Sequence, residues 1–136
     1  MLLVDTNIFL EVLLSGSRKD ECKRLLGLLR DGKESGAITD FVLHSIIVIM
    51  ENANKIKELR TFLLSLSGYK ALHIYHTSLV DYVNATDLVL DERLDVDDAI
   101  QYTAAMSLGA TAIVSFDKHF DDLKVPRRAP IQILRS

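Results

Sequence analysis

Cysteine, proline and tryptophan are nearly missing from this chain. Among 136 residues there is one cysteine, Cys22, there are two prolines, and there is no tryptophan. A lone cysteine excludes a disulfide framework and a cysteine-rich zinc site. Cys22 itself reads as a packing residue of a helix, the usual place of a free thiol. So little proline, with 49% of residues hydrophobic, excludes a disordered or low-complexity chain. Long apolar runs are absent too. The longest, residues 46–50, is far too short to cross a bilayer, and the opening Met-Leu-Leu-Val-Asp carries neither a basic leader nor a signal-peptide core. The expectation is a cytoplasmic protein with no membrane association. Positive charge is not in excess either. A formal net charge of −3 is not the footprint of a protein held to nucleic acid by bulk electrostatics. A polyanionic substrate would need a bound cation or a local basic patch.

What is present fits one domain over residues 1–136, long enough to bury a real core. Short β-branched runs alternate with longer helical patterns, which predicts an α/β fold around parallel strands. Strands are expected at Leu2–Val4, 37–39, Leu72–Tyr75 and Ala112–Val114, with a fifth at 131–134, after Pro130, on a sheet edge. Helices are expected at 7–14, Lys19–Arg30, 40–54, Ile56–Leu66, 78–90 and 95–108. Asp40 and Asp95 suit the N-caps of two of these, Gly109 suits a C-terminal stop, and 117–123 reads as one or two helical turns. Residues 41–50 are hydrophobic around most of a helix, so that helix must lie in the core or at a subunit contact; a homodimer is expected.

Ligands of parallel sheets gather outside the carboxyl ends of the strands. Asp5 directly follows the first strand and Asp117 follows the fourth, so both fall on that edge. Asp98 lies in the first turn of the helix feeding the fourth strand. Because that helix runs antiparallel to its strand, its start is expected near the strand's amino end, and spacing alone does not bring Asp98 to the others. Clustered carboxylates repel and hold their protons unless a cation neutralises them. Aspartates without histidine or cysteine partners suit Mg2+ or Mn2+ better than zinc. Such an ion can activate water and stabilise charge on a phosphate. Each aspartate also suits helix capping, Asp5 and Asp117 for the turns that follow, Asp95 with Asp98 as a variant capping box. Capping and metal binding do not exclude each other.

Three segments taken together resemble a PIN domain: Leu3-Val4-Asp5-Thr6-Asn7, Leu94-Asp95-Val96-Asp97-Asp98-Ala99-Ile100, and Ile113-Val114-Ser115-Phe116-Asp117-Lys118-His119-Phe120. The resemblance implies a three-layer fold, a central parallel five-stranded sheet of order 3-2-1-4-5 flanked by helices. It further implies a Mg2+- or Mn2+-dependent nuclease acting on single-stranded RNA. Many small prokaryotic members resemble VapC toxins, so an antitoxin partner is implied as well. Carried over by position, Asp5, Asp98 and Asp117 match the acidic, catalytic metal ligands, and Asn7 and Ser115 match the small polar residues that orient them. Asp97, adjacent to Asp98, points about 100° away on a helix, so only one of the two faces the site squarely.

One position departs from the pattern. Ser45 stands where the family places a glutamate. Glu51 is a poor substitute, about 9 Å further along the same helix and roughly 120° around it. Other groups able to reach the crevice are Asp40, Glu11, Asp121 and His44, the last as a supporting donor, a phosphate contact or a merely buried histidine. Lys118, Lys124, Arg127, Arg128 and Arg135 form either a basic rim for a phosphate backbone or an ordinary charged surface. Two other functions stay open. The missing glutamate suits a degenerate domain that binds RNA or a protein partner without cutting. A phosphohydrolase of the haloacid dehalogenase type would need a second aspartate at the position of Asn7.

Overall fold

A computed structural model describes residues 1–135; Ser136, the last residue of the expected span, lies outside the described residues. Five strands, β1 (Leu2–Val4), β2 (Gly36–Thr39), β3 (Leu72–Tyr75), β4 (Ala112–Val114) and β5 (Arg127–Arg128), form one sheet in the order β3-β2-β1-β4-β5. Every neighbouring pair is parallel. Among the described residues seven helices connect and cover it: α1 (Thr6–Leu13), α2 (Lys19–Arg30), α3 (Asp40–Asn52), α4 (Ile56–Leu66), α5 (Leu79–Glu92), α6 (Val96–Leu108) and α7 (Pro130–Leu134). A 3-10 turn at Lys118–Phe120 follows β4.

The three layers follow from the strand pleat. Side chains of successive strand residues point to opposite faces. Leu2 and Val4 of β1, Ile38 of β2, and Ala112 and Val114 of β4 join one core with Ile8, Leu25, Val42, Phe62 and Ile133 from α1, α2, α3, α4 and α7. Leu3, Ala37 and Ile113 point the other way, into a second core with Ala85 of α5, Ala99, Ile100 and Ala105 of α6, and Phe120. Strands covered on both faces read as continuous apolar runs, as Leu-Leu-Val and Ala-Ile-Val do here. Cys22 is buried in α2, and burial pushes its thiol up to about 12, so it packs rather than reacts.

Two local expectations need correction. The fifth strand is not 131–134: Arg127–Arg128 supplies it, and Pro130 opens α7 instead. Proline at a first helical position loses no hydrogen bond and has its φ already set. Gln132 then secures the start, its Oε1 accepting from the backbone N–H of Ala129 at 2.7 Å. The alternation Ile131, Ile133 looked like a strand, yet in α7 it buries Ile133 against α2. Asp40 is likewise not an N-cap. Thr39 fills that position, its hydroxyl accepting from Val42 N at 2.9 Å. The Asp40 carboxylate instead accepts from the Thr77 N–H and hydroxyl, tying the exits of β2 and β3 together.

Helix α3 buries a single stripe, Val42, Ile46 and Met50, and leaves Val48 and Ile49 exposed. Helix α5 leaves Leu79, Val80, Val83 and Leu90 exposed. Among the described residues no helix is long and apolar enough to cross a membrane.

Candidate metal centre

Asp5 stands where β1 becomes α1. Its N–H continues the sheet ladder to Val114 O at 3.0 Å, which fixes it beside the end of β4. The carboxylate is 5% exposed and fully engaged. Oδ1 accepts from Thr6 N at 2.7 Å and from Gln101 Nε2 at 2.6 Å, while Oδ2 accepts from Ser115 Oγ at 2.7 Å. Ser115 Oγ in turn accepts from Asp117 N at 2.9 Å. One hydroxyl therefore links Asp5 to the backbone that carries Asp117.

The N-terminus of α6 also lies at this edge, which corrects the expectation from chain direction. A helix running antiparallel into a strand has its last residues at the strand's amino end, so its first residues reach the carboxyl end. Asp98 is thus brought to the sequence segment after β4. His119 Nδ1 lies 3.1 Å from Asp98 Oδ2 and 3.2 Å from Asp117 Oδ1, and Asp117 Oδ1 accepts from the His119 N–H at 2.8 Å. Asp97 is exposed whereas Asp98 is buried. Burial raises the Asp98 carboxyl above its ordinary range, and the charges of Asp117 and Asp5 add to that. His119 is raised above the usual imidazole value, first by its hydrogen bond to Asp98 and then by the charge of Asp117. Carboxylate oxygens at a shared edge, one of them disfavoured as an anion first by burial and then by its neighbours, are donors that suit a hard divalent cation.

Two participants were not anticipated from the sequence. Gln101 sits one turn after Asp98 on the same face of α6, and its Oε1 is buried without a hydrogen-bond partner. A polar residue three positions after a candidate ligand, inside an otherwise buried small-residue stretch, was the available signal. His119 was visible only as part of the motif after β4.

The other candidates make different contacts. The Asn7 side chain is exposed and makes no hydrogen bond among the described residues; it lines a groove of about 380 Å³ with Glu11, Arg18 and Phe116. Ser45 donates its hydroxyl to Phe41 O at 3.0 Å within its own helix, and His44 is exposed. Glu11 accepts from Arg18 N across the turn between α1 and α2. Asp121 accepts from Arg127 Nε at 2.7 Å, and Arg127 also donates to Ser115 O, so that arginine braces the site. Lys118, Lys124, Arg128 and Arg135 are exposed. The Arg18 guanidinium lies 4.3 Å above the ring of Phe116, placing a cation beside the acidic edge that the sequence did not suggest. An open groove of about 970 Å³ between α2 and α7 contains none of the acidic candidates.

Comparison with curated proteins by sequence gives no match. Solved structures share the fold. VapC20 of Mycobacterium tuberculosis, described as a sarcin–ricin loop cleaving toxin, matches with a TM-score of 0.70 at 16% identity, over 86% of this chain and 90% of its own. A toxin–antitoxin complex from Klebsiella pneumoniae matches at 0.72 and 21%, over 96% and 98%. VapBC2 of Rickettsia felis, bound to a DNA fragment from its promoter, matches at 0.68 and 17%, over 94% and 97%. A family model for the PIN domain matches residues 2–126. With that match spanning β1 to the approach to β5, the chain belongs to the PIN-domain family.

Proposed function

We propose that residues 1–136 act as a single domain with the activity of a Mg2+- or Mn2+-dependent endoribonuclease on single-stranded RNA, Asp5, Asp98 and Asp117 holding the ion. The observation that carries this reading is the arrival of carboxylates from β1, α6 and the segment after β4 at one sheet edge, with Asp5 tied to the end of β4 and His119 Nδ1 within 3.1 Å of Asp98 and 3.2 Å of Asp117. A divalent ion bound there would activate water and stabilise the charge that develops on the attacked phosphate. The protein's own contribution is placement. Asp5 is held by three hydrogen bonds and cannot rotate, and Ser115 fixes its distance from Asp117. Arg18 above Phe116 offers a cation for a backbone phosphate and a ring edge for a base. The direct test is cleavage of single-stranded RNA by the purified protein. EDTA is expected to abolish it, Mn2+ to restore it, and Asp5→Asn to remove it while circular dichroism stays native. Equal cleavage by the wild type and Asp5→Asn would overturn the reading.

The K. pneumoniae toxin–antitoxin complex and the R. felis VapBC2 structure support an antitoxin as partner, and a cytoplasmic location is proposed with it. Expression of the chain alone is expected to arrest growth, and co-expression of its neighbouring-gene product to relieve the arrest. Exposed Val48 and Ile49 on α3, and Leu79, Val80, Val83 and Leu90 on α5, support self-association. Sedimentation at a dimer mass is expected; a monomer at high concentration would remove the homodimer. One observation favours a non-cutting domain instead. Ser45 brings no carboxylate, and its hydroxyl is spent on Phe41 O. Failure to bind Mn2+ at millimolar concentration would favour that second reading.

A further inference from the structure

We propose that Asp95, Asp98 and His119 form a mixed carboxylate–imidazole site for a first-row transition ion, sharing Asp98 with the three-aspartate cluster and preferring Mn2+ over Mg2+. The inference deepens the metal-dependent reading above and rests on it through Asp98.

The ligand atoms of these three residues all lie within 4.8 Å of one another. They come from two separate elements, the start of α6 and the 3-10 turn after β4. Neighbouring ligands of an octahedral ion with bonds of about 2.1 Å stand about 3 Å apart. The 3.1 Å between His119 Nδ1 and Asp98 Oδ2 matches that separation. Asp95 occupies the N-cap position of α6 yet makes no capping bond with its side chain, so its carboxylate is left available. Its side chain is exposed, as is that of His119, whereas Asp98 is buried. Such a site is anchored at one ligand and open to solvent at the other two.

Imidazole nitrogen is the donor that discriminates. Mg2+ binds oxygen and keeps its waters, while Mn2+ and the later first-row ions accept nitrogen as well. A nitrogen ligand at this edge would also offset the carboxylate missing at Ser45. The alternative role for His119 is that of a plain counter-ion, its imidazolium neutralising Asp98 and Asp117 until a metal expels it. The two roles have opposite consequences. Removing a ligand weakens Mn2+ binding; removing a competing cation strengthens it.

The experiment measures Mn2+ and Mg2+ binding to the full chain by calorimetry, and records electron spin-echo modulation of the bound Mn2+. Wild type is expected to show coupling to a 14N nucleus. His119→Ala is expected to lose that coupling and to bind Mn2+ about tenfold more weakly, the scale on which ligand-shell substitutions act, with Mg2+ affinity unchanged. Asp95→Asn, at an exposed position, is expected to weaken Mn2+ binding while keeping the nitrogen coupling. Bound Mn2+ without nitrogen coupling, or tighter Mn2+ binding in His119→Ala, would overturn the inference and leave the three-aspartate reading intact. No Mn2+ binding at all would overturn both.

Discussion

At the residue scale the centre depends on groups that satisfy one another in series. Ser115 is buried, donating to Asp5 and accepting from Asp117 N. Ser115→Ala leaves a buried carboxylate oxygen and a backbone N–H without partners, and is expected to lower stability by about 1–3 kcal/mol in chemical denaturation. Asp98 has the opposite sign. Its folded carboxyl is raised above the ordinary value by burial and by Asp117. Its contribution is therefore fully present below the unfolded value and is lost as pH rises through the folded one. Asp98→Asn is expected to melt higher than the wild type at neutral pH without metal; an unchanged or lower midpoint would contradict this account of its environment. His119, also raised, adds stability that is complete below about 6.5 and disappears as pH climbs through its folded value. The metal-free protein should thus lose stability on going to mildly alkaline pH. The position of Asp5 and Asp117 on the carboxyl edge of the sheet was legible because Asp5 directly follows an apolar strand and Asp117 comes three residues after the end of another. That Asp98 shares this edge was suggested only by the family resemblance, and Gln101 offered only its spacing from Asp98, since its bond to Asp5 joins residues 96 apart.

Elements were read well where periodicity was strong and poorly where two periods fit. Helices α2 and α4 and strands β1, β3 and β4 have the bounds their apolar patterns suggested. The C-terminal segment did not, because Ile131 and Ile133 satisfy a strand alternation and a short helix equally, and the side-chain bond from Gln132 decides between them. Strand β5 has only Arg127 and Arg128, too short and too polar to carry a strand signal. The cap expected at Asp40 goes to Thr39, which competes for the same position, and the aspartate is free to bind Thr77. The stop at Gly109 was legible, and its φ of +62° shows why glycine belongs there. A Cβ at this position meets nothing within 4 Å, so Gly109→Ala should cost only backbone strain. About 1 kcal/mol is expected from thermal or chemical unfolding; a loss several times larger would reveal a packing role.

The order of the whole sheet brings the candidate carboxylates to one edge. With β1 central between β2 and β4, the residues following β1 and β4 are neighbours, and the helix that leads into β4 begins beside them. A chain with net charge −3 can thereby gather acidic groups at one point. Arg18, Arg127 and Arg128 stand on the segments bordering that point. Sheet order itself was available from the resemblance and not from periodicity, which counts strands without ordering them. The most direct test of the central claim is anomalous diffraction from a crystal soaked in Mn2+. One ion is expected on the Asp98 carboxylate, with Asp5 and Asp117 bonded to it directly or through one water. Saturating Mn2+ that leaves Asp98 bare, or that binds only away from these three carboxylates, would contradict it.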